Sequence, residues 1–350
     1  MSGGVDSSVA ALLMKEAGYD CLGVTMKLNE NTVNACGEKT CCTASDAEDA
    51  RGVCVKLGIP YYVFNFVEDF RRCVIDNFVH SYEIGETPNP CIECNRCLKF
   101  GRLFHRAKEL ECDVIVTGHY ARIEFDEKSG RYLLKKALNA AKDQSYVLYF
   151  MSQEQLAHTR FPLGGFADKT EIRAIAEAHG LVNAKKAESQ DICFVPDGDY
   201  AGFITEYSGR VYPEGDFTDR EGNVLGRHKG IIHYTVGQRK GLGISFSEPL
   251  YVIGKDAGKN SVRLGTSEQL FSDRLTARDF NWISLSEPPE KPIRVTVRTR
   301  YHAKEAPASV CANPDGTVEI IFDEPQRAIS PGQAAVLYDG DVVVGGGTIC

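Results

Sequence analysis

No apolar stretch in this sequence is long enough to cross a bilayer, and no signal peptide opens it. Membrane-spanning and secreted classes are therefore not expected, and a reducing, cytoplasmic setting is. Internal repeats and low-complexity tracts are absent, which excludes a solenoid and a linker-like chain. A surplus of positive charge is missing as well: the formal net charge is −8, which argues against indiscriminate binding to polyanions. Cysteine, by contrast, is plentiful, with 13 in 350 residues. In a reducing compartment such thiols are buried, catalytic or metal-bound rather than paired. Cys21, Cys54, Cys73, Cys112 and Cys311 lie in apolar patterns and are expected to pack.

The acidic chain still contains three acid-free basic stretches. From Asn95 to Lys108 it carries Arg96, Lys99, Arg102, Arg106 and Lys108; from Leu225 to Ser245, Arg227, Lys229, Arg239 and Lys240; from Lys291 to Lys304, Lys291, Arg294, Arg298, Arg300 and Lys304. One such run is ordinarily a solvated face. Three of them point to an extended anionic partner, bound in a salt-dependent way.

Periodicity gives an α/β beginning. Helical spacing from Asp6 to Ala17, from Ala44 to Leu57 and from Phe100 to Leu110 alternates with strand-like runs at Cys21–Leu28, Ile59–Phe66 and Asp113–Tyr120. That alternation predicts a parallel sheet with helices on both faces and ligands at the carboxyl ends of its strands. Thr170 to His179 reads as the last helix of this domain, residues 1–196. A small mixed or β module is expected over 197–265. Short alternating strands predict a C-terminal β-barrel over 266–350. A Gly-rich loop feeding a helix normally follows a strand, and here it follows Met1, so a first strand is expected upstream of this sequence.

The loop itself is SGGVDSS, Ser2, Gly3, Gly4, Val5, Asp6, Ser7 and Ser8. Its glycines allow tight backbone turns, and the helix after it aims free N–H groups back at the loop. No lysine ends it, so it is not the GxxxxGK[ST] phosphate loop. The second signal is TPNPCIECNRCLKF, with Cys91, Cys94 and Cys97 three residues apart. Such spacing suits a metal, an iron–sulfur cluster or a nucleophile with neighbouring thiols. A structural zinc site lacks a nearby fourth ligand unless Cys36, Cys41 or Cys42 contributes. Cys193 is set apart in ESQDICFVPDGDY, a polar, loop-like setting that favours access.

SGGVDSS, TPNPCIECNRCLKFG, TGHYARI, KDQSYVLYF, ESQDICF, TVGQRKGLG, VRTRYHAK, PGQAAVLYDG and GGGTI occur in this order. Together they resemble the tRNA-specific 2-thiouridylase family, part of the pyrophosphate-loop superfamily, from Ser2 nearly to Cys350. The resemblance implies ATP with Mg2+, adenylation of the wobble uridine at its 2-oxygen, and replacement of that oxygen by sulfur. It implies the anticodon stem-loop of tRNA as substrate and a sulfur donor such as a cysteine desulfurase or relay protein. The loop residues Ser2 to Ser8, with Met26 and Gly118, match ATP positions. Asn89, Pro90 and Cys91 match the segment facing the target base. Cys94 matches the catalytic cysteine and Cys193 the persulfide carrier. His119, Lys142, Asp143, Gln144, Arg300, Tyr301 and Gln333 match tRNA contacts. Many members carry Asp where Cys91 stands. With Cys there, Cys91, Cys94 and Cys193 could hold a [4Fe–4S] cluster with one open iron, as an alternative to a persulfide relay with a transient Cys94–Cys193 disulfide. Two other readings compete: a pyrophosphate-loop ligase or synthetase adenylating a small metabolite, and a non-enzymatic RNA-binding protein with a structural metal.

Overall fold

The computed structural model describes residues 1–29, 44–186, 192–244 and 246–350. They form two compact units: Met1–Val74, Cys91–Gly198 and Asp341–Val343 in the first, and Ile75–Pro90, Asp199–Gly340 and Val344–Cys350 in the second.

In the first unit, α1 (Val5–Glu16) leaves the Gly-rich loop and buries Val9, Ala10, Leu12 and Met14. Just beyond it Gly18, at φ 87°, takes the left-handed conformation that ends helices. Strand β1 (Gly23–Lys27), helix α2 (Ala44–Leu57) and strand β2 (Tyr61–Asn65) follow, and β1 and β2 pair in parallel. Short α3 (Val67–Phe70) runs through a π turn, Arg71–Ile75, into α4 (Asp76–Glu83), which is counted with the second unit.

Next comes a continuous helix: α5 (Pro90–Glu93), a π-helical stretch Cys94–Arg102, and α6 (Leu103–Glu109). The sequence expectation started this helix at Phe100. It starts at Pro90, because proline suits the first turn, where its missing N–H is no loss. Gly101 fits the wide register: a Cβ there would lie 2.9 Å from the carbonyl oxygen of Arg96, five residues back.

Strand β3 (Ile115–Val116) is shorter than the run Asp113–Tyr120 suggested, because Thr117 to His119 continue as irregular backbone and Tyr120 lies in a bend. The hairpin β4 (Ala121–Asp126) and β5 (Arg131–Lys136) comes next, then α7 (Gln153–Ala157) and β6 (Thr159–Arg160), which pairs in parallel with β3. Helix α8 (Lys169–Ala178) opens on a capping box, Asp168 accepting from Thr170 N–H with Glu171 reaching back. Val9, Val53, Tyr120, Leu163, Ile172 and Leu181 pack as one core.

The second unit holds α9 (Tyr200–Ser208) and a four-stranded sheet of β7 (Gly215–Thr218), β8 (Val224–His228), β9 (Tyr251–Asp256) and β10 (Ser261–Gly265), in the order β8-β7-β10-β9. Six further strands follow: β11 (Phe271–Trp282), β12 (Ile293–Arg298), β13 (Ala306–Ala312), β14 (Val318–Arg327), β15 (Ala334–Asp339) and β16 (Val342–Ile349). Their order is β11-β14-β13-β12-β15-β16, and β11 pairs with β16 to close a barrel. Alternating burial along β12 and β13 puts Val295, Val297, Ala308 and Val310 inside. The fold is thus α/β with parallel pairing, then a small mixed sheet, then a β-barrel.

Candidate active site

Gly3 and Gly118 fix the shape of the loop at the head of α1. Gly3 has φ +73°, and a Cβ on it would lie 2.4 Å from the carbonyl oxygen of Asp46 in α2. A Cβ on Gly118 would lie 2.8 Å from the backbone of Asp6 and Ser7. Glycine is therefore required where the chain after β3 meets the first turn of α1. No side chain caps that turn, which leaves its N–H groups and positive dipole end directed at the loop. An anion-binding cradle follows from this geometry.

The loop is braced from within. Ser7 Oγ donates to Gly4 O (3.1 Å) and accepts from Ser2 N–H (3.1 Å). Ser8 is fully buried; its hydroxyl donates to Gly4 O (3.1 Å) and accepts from Asn183 Nδ2 (2.8 Å). Both serines match ATP positions, but the hydroxyl of Ser8 serves the loop's own hydrogen bonds. Val5 lies in the core, and Met26 is half-buried on β1, opposite Phe64. Asp6 reaches across the first turn, where its carboxylate accepts from Tyr120 Oη (2.8 Å) and Lys169 Nζ (3.1 Å).

Tyr120, Lys169 and Asn183 were not singled out in the sequence. Asn183 is 2% exposed and also donates to Gly3 O (2.8 Å). Tyr120 adjoins the quoted Gly118–His119 pair, and Lys169 follows the Asp168 cap, so both had a local signal. Asn183 had none.

The thiols lie in the same unit as the loop. Cys91 is exposed, while Cys94 and Cys97 are half-buried. Cys97 turns toward Cys73 and Glu93, with its Sγ 4.0 Å from Glu93 Oε2. Burial, with Cys73 and Glu93 beside it, pushes its thiol up to about 12. A thiol so hard to ionise is a poor nucleophile. Cys193 is half-buried at the centre of a turn closed by Val195 N–H on Ile192 O (2.9 Å). The next residue, Phe194, meets Phe70 of α3 edge-on at 5.8 Å. Asp69, beside Phe70, accepts from Arg102 Nε (3.0 Å) at the end of the π stretch. The turn bearing Cys193 and the helix bearing Cys94 therefore share α3 as a neighbour.

Among the described residues no three His, Cys, Asp or Glu side chains gather to hold a metal ion. Cys91, Cys94 and Cys193, expected as a three-thiolate set for a [4Fe–4S] cluster, do not form such a group. Cys36, Cys41 and Cys42, considered as zinc ligands, lie outside the described residues, as do Glu188 to Asp191 ahead of Cys193. Of the five cysteines expected to pack, Cys54 is buried; Cys21, Cys73, Cys112 and Cys311 are half-buried.

Residues 1–197 match a family model described as the tRNA methyl transferase HUP domain. Residues 201–266 match the tRNA methyl transferase PRC-barrel domain, and residues 272–349 the aminomethyltransferase beta-barrel domain. A tRNA-specific 2-thiouridylase of Moorella thermoacetica is 53% identical over 350 residues, covering 100% of this chain and 98% of the relative. One from Clostridioides difficile is 51% identical over 349 residues, covering 100% and 96%. The chain belongs to the tRNA-specific 2-thiouridylase family. Among solved structures, NMN synthetase from Francisella tularensis overlaps at a TM-score of 0.28 and 15% identity, covering 60% of this chain and 75% of that one, too slight a likeness to argue from.

The 2-thiouridylase positions expected at tRNA are spread over both units. In the first, Gln144 bonds Tyr120 twice, its N–H donating to Tyr120 O (2.8 Å) and its Oε1 accepting from Tyr120 N–H (3.0 Å). This ties Lys142 to Gln144 beside the Gly118 stretch. Asp143 is 5% exposed, and its carboxylate accepts from Ala137 N–H, Ser145 N–H and Ser145 Oγ. His119 is 7% exposed, packed between Phe100 and Phe161, with Nδ1 2.7 Å from Thr117 Oγ1. Burial, helped by the charge of Lys99, holds its pKa well below the usual histidine value, so the ring is neutral. The side chains of Asp143 and His119 thus serve the fold in this structure.

In the second unit, Arg300 Nη2 donates to Val236 O (3.0 Å) and Ala328 O (3.1 Å), and the Tyr301 ring lies edge-on to His302 at 4.7 Å. Gln333 Nε2 donates to Thr87 O (2.8 Å). Asn89 is half-buried and Pro90 buried. Each acid-free basic stretch has cations paired by acids from outside it: Arg102 with Asp69, Arg227 with Asp216, Arg294 with Asp323, and Arg298 with Glu305. Those partners lie outside each run, so the runs alone do not show which of their charges are paired. No described helix is long and apolar enough to cross a membrane.

Proposed function

We propose that this chain uses ATP to exchange the 2-oxygen of the wobble uridine in tRNA for sulfur. The observation that carries this reading is a glycine-shaped anion cradle at the head of α1, in the same unit as Cys94 and Cys193, in a member of the 2-thiouridylase family. The cradle suits the phosphates of ATP. Asp6 is the loop's carboxylate, and one carboxylate with phosphate oxygens is a donor set that Mg2+ takes; when bound, the ion would neutralise phosphate charge. The target base must leave its stack to reach such a site. Asn89, Pro90 and Cys91 face it, and Lys142, Arg300, Tyr301 and Gln333 touch the RNA.

The uridine 2-oxygen attacks the α-phosphate and pyrophosphate leaves, turning a poor leaving group into AMP. The terminal sulfur of a persulfide on Cys193, loaded by a persulfide-bearing donor in the cytoplasm, then attacks C2 and AMP departs. The thiolate of Cys94 attacks Cys193 Sγ, which releases the thiocarbonyl and forms a Cys94–Cys193 disulfide. A thiol reductant restores both cysteines. The test is AMP formation from ATP. It should require tRNA and persist in Cys94→Ser, while thiolation disappears. AMP formation driven by a small metabolite without tRNA would refute the reading.

A further inference from the structure

The stretch from Gly85 to Pro90 leads into the thiol helix and belongs to the second unit, where separate elements grip two of its residues. Thr87 N–H donates to Pro331 O (2.8 Å), and Gln333 Nε2 donates to Thr87 O (2.8 Å), so both backbone groups of Thr87 are held from one turn before β15. Between these two contacts sits Gly332, at φ +86°; a Cβ on it would lie 2.9 Å from Glu86 Cβ and from Thr87 N. On the other side, Arg278 Nη2 of β11 donates to both carboxylate oxygens of Glu86, at 3.0 and 3.2 Å. From β9, Lys255 Nζ donates to Tyr234 O (2.9 Å) and lies 3.4 Å from Glu86 O. Its Cβ bears on Gly85, where a side chain would approach to 3.3 Å.

These contacts leave Glu86 and Thr87 little freedom. They bond the backbone N–H and C=O of one residue, pair the side chain of its neighbour with a guanidinium, and exclude a side chain at Gly332. Thr87 is two residues ahead of Asn89. Any displacement of Thr87 is passed directly to Asn89, Pro90 and Cys91, and an error of about 1 Å in a reacting group's placement can cost a hundredfold in rate.

We propose that Glu86, Arg278 and Gly332 are positioning residues, which fix the backbone at Thr87 and thereby place the stretch that receives the target base. The proposal rests on the thiolase reading for what is positioned. The clamp itself does not depend on that reading.

The test uses the full chain with Glu86→Gln, Arg278→Met, Arg278→Lys and the Glu86→Gln/Arg278→Met double variant. Single-turnover thiolation, tRNA affinity by filter binding and amide exchange at Thr87 are measured on each. Glu86→Gln and Arg278→Met should exchange at Thr87 about tenfold faster and lose about tenfold or more in thiolation rate, with tRNA affinity within about twofold. Arg278→Lys should recover part of the rate, and the double variant should be no worse than the poorer single one. Should Arg278→Met fail to fold, Glu86→Gln and Arg278→Lys carry the same comparison. Unchanged exchange at Thr87 overturns the clamp. Faster exchange with an unchanged rate overturns the positioning role, and so does a rate loss matched by lost tRNA affinity. A wild-type protein that does not thiolate tRNA refutes the functional reading instead, and leaves the exchange measurement to decide the clamp.

Discussion

Gly118→Ala puts one methyl group where the chain after β3 meets the loop. The added carbon would lie 2.8 Å from the carbonyl carbon of Asp6 and the nitrogen of Ser7. Comfortable contacts begin near about 3.5 Å, so the first turn of α1 must retreat by roughly 0.7 Å. Overpacking of this kind costs about 1–3 kcal/mol. A free loop can relieve that strain by moving, whereas a loop wrapped on phosphates cannot, so the cost falls mainly on the nucleotide-bound state. At 1.4 kcal/mol per factor of ten, ATP affinity should fall about 5- to 150-fold. Calorimetric titration with a non-hydrolysable ATP analogue measures this, with tRNA affinity as the control that should not move. A folded Gly118→Ala protein that binds the analogue as tightly as wild type would refute the assignment of this cradle to phosphate.

Lys255 supplies a pH signature. Burial, opposed by the charge of Glu86, pushes its pKa down to about 8 from an ordinary 10.5. Below about pH 8 both folded and unfolded chains carry this proton, and the buried charge penalises the fold. Between about 8 and 10.5 only the unfolded chain keeps it, so stability rises with pH, by about 3 kcal/mol in all. Urea unfolding across that range should show wild type gaining this amount relative to Lys255→Met; a constant difference would contradict it. Tyr120→Phe removes the hydroxyl that donates to Asp6 at 2.8 Å. A hydrogen bond to a charged group is worth about 1.5–3 kcal/mol, so urea unfolding should show a loss of that size, and a loss under about 0.5 kcal/mol would show Asp6 to be held by Lys169 instead. Iodoacetamide at pH 8 should label exposed Cys91 well before Cys97, whose thiol is pushed up to about 12; peptide mass analysis with Cys97 labelled first would reverse that ranking.

The elements read best from the sequence were those set by neighbours along the chain. Helix α2 runs over Ala44–Leu57, and α1 and α8 begin and end within a residue of the spacing of their apolar positions and their caps. The Gly-rich loop was legible for the same reason, since Gly3 and Gly4 act within one turn. The π register from Cys94 to Arg102 was not, because it depends on carbonyls five residues back and on the missing side chain of Gly101. Nor was the bracing of the loop, since Asn183 bonds Gly3 and Ser8 across 180 and 175 residues. The grip of Gln333 on Thr87 spans 246 residues, and no local pattern announces it. The acid partners of the basic stretches were hidden for a related reason: Asp69 pairs with Arg102 from a different helix. The thiols were legible as a group, but their directions were not, because three-residue spacing says nothing of which face of the helix is buried.

Nucleoside mass analysis of unmodified tRNA, incubated with the purified protein, ATP and a persulfide donor, decides whether this chemistry takes place. Wild type should convert the wobble uridine to 2-thiouridine; Cys193→Ser should leave it as uridine while still binding the tRNA, and Cys94→Ser should release no 2-thiouridine and instead hold the base disulfide-linked to Cys193. Appearance of 2-thiouridine with either serine variant would contradict the two-thiol mechanism, and its absence with wild type would contradict the function itself.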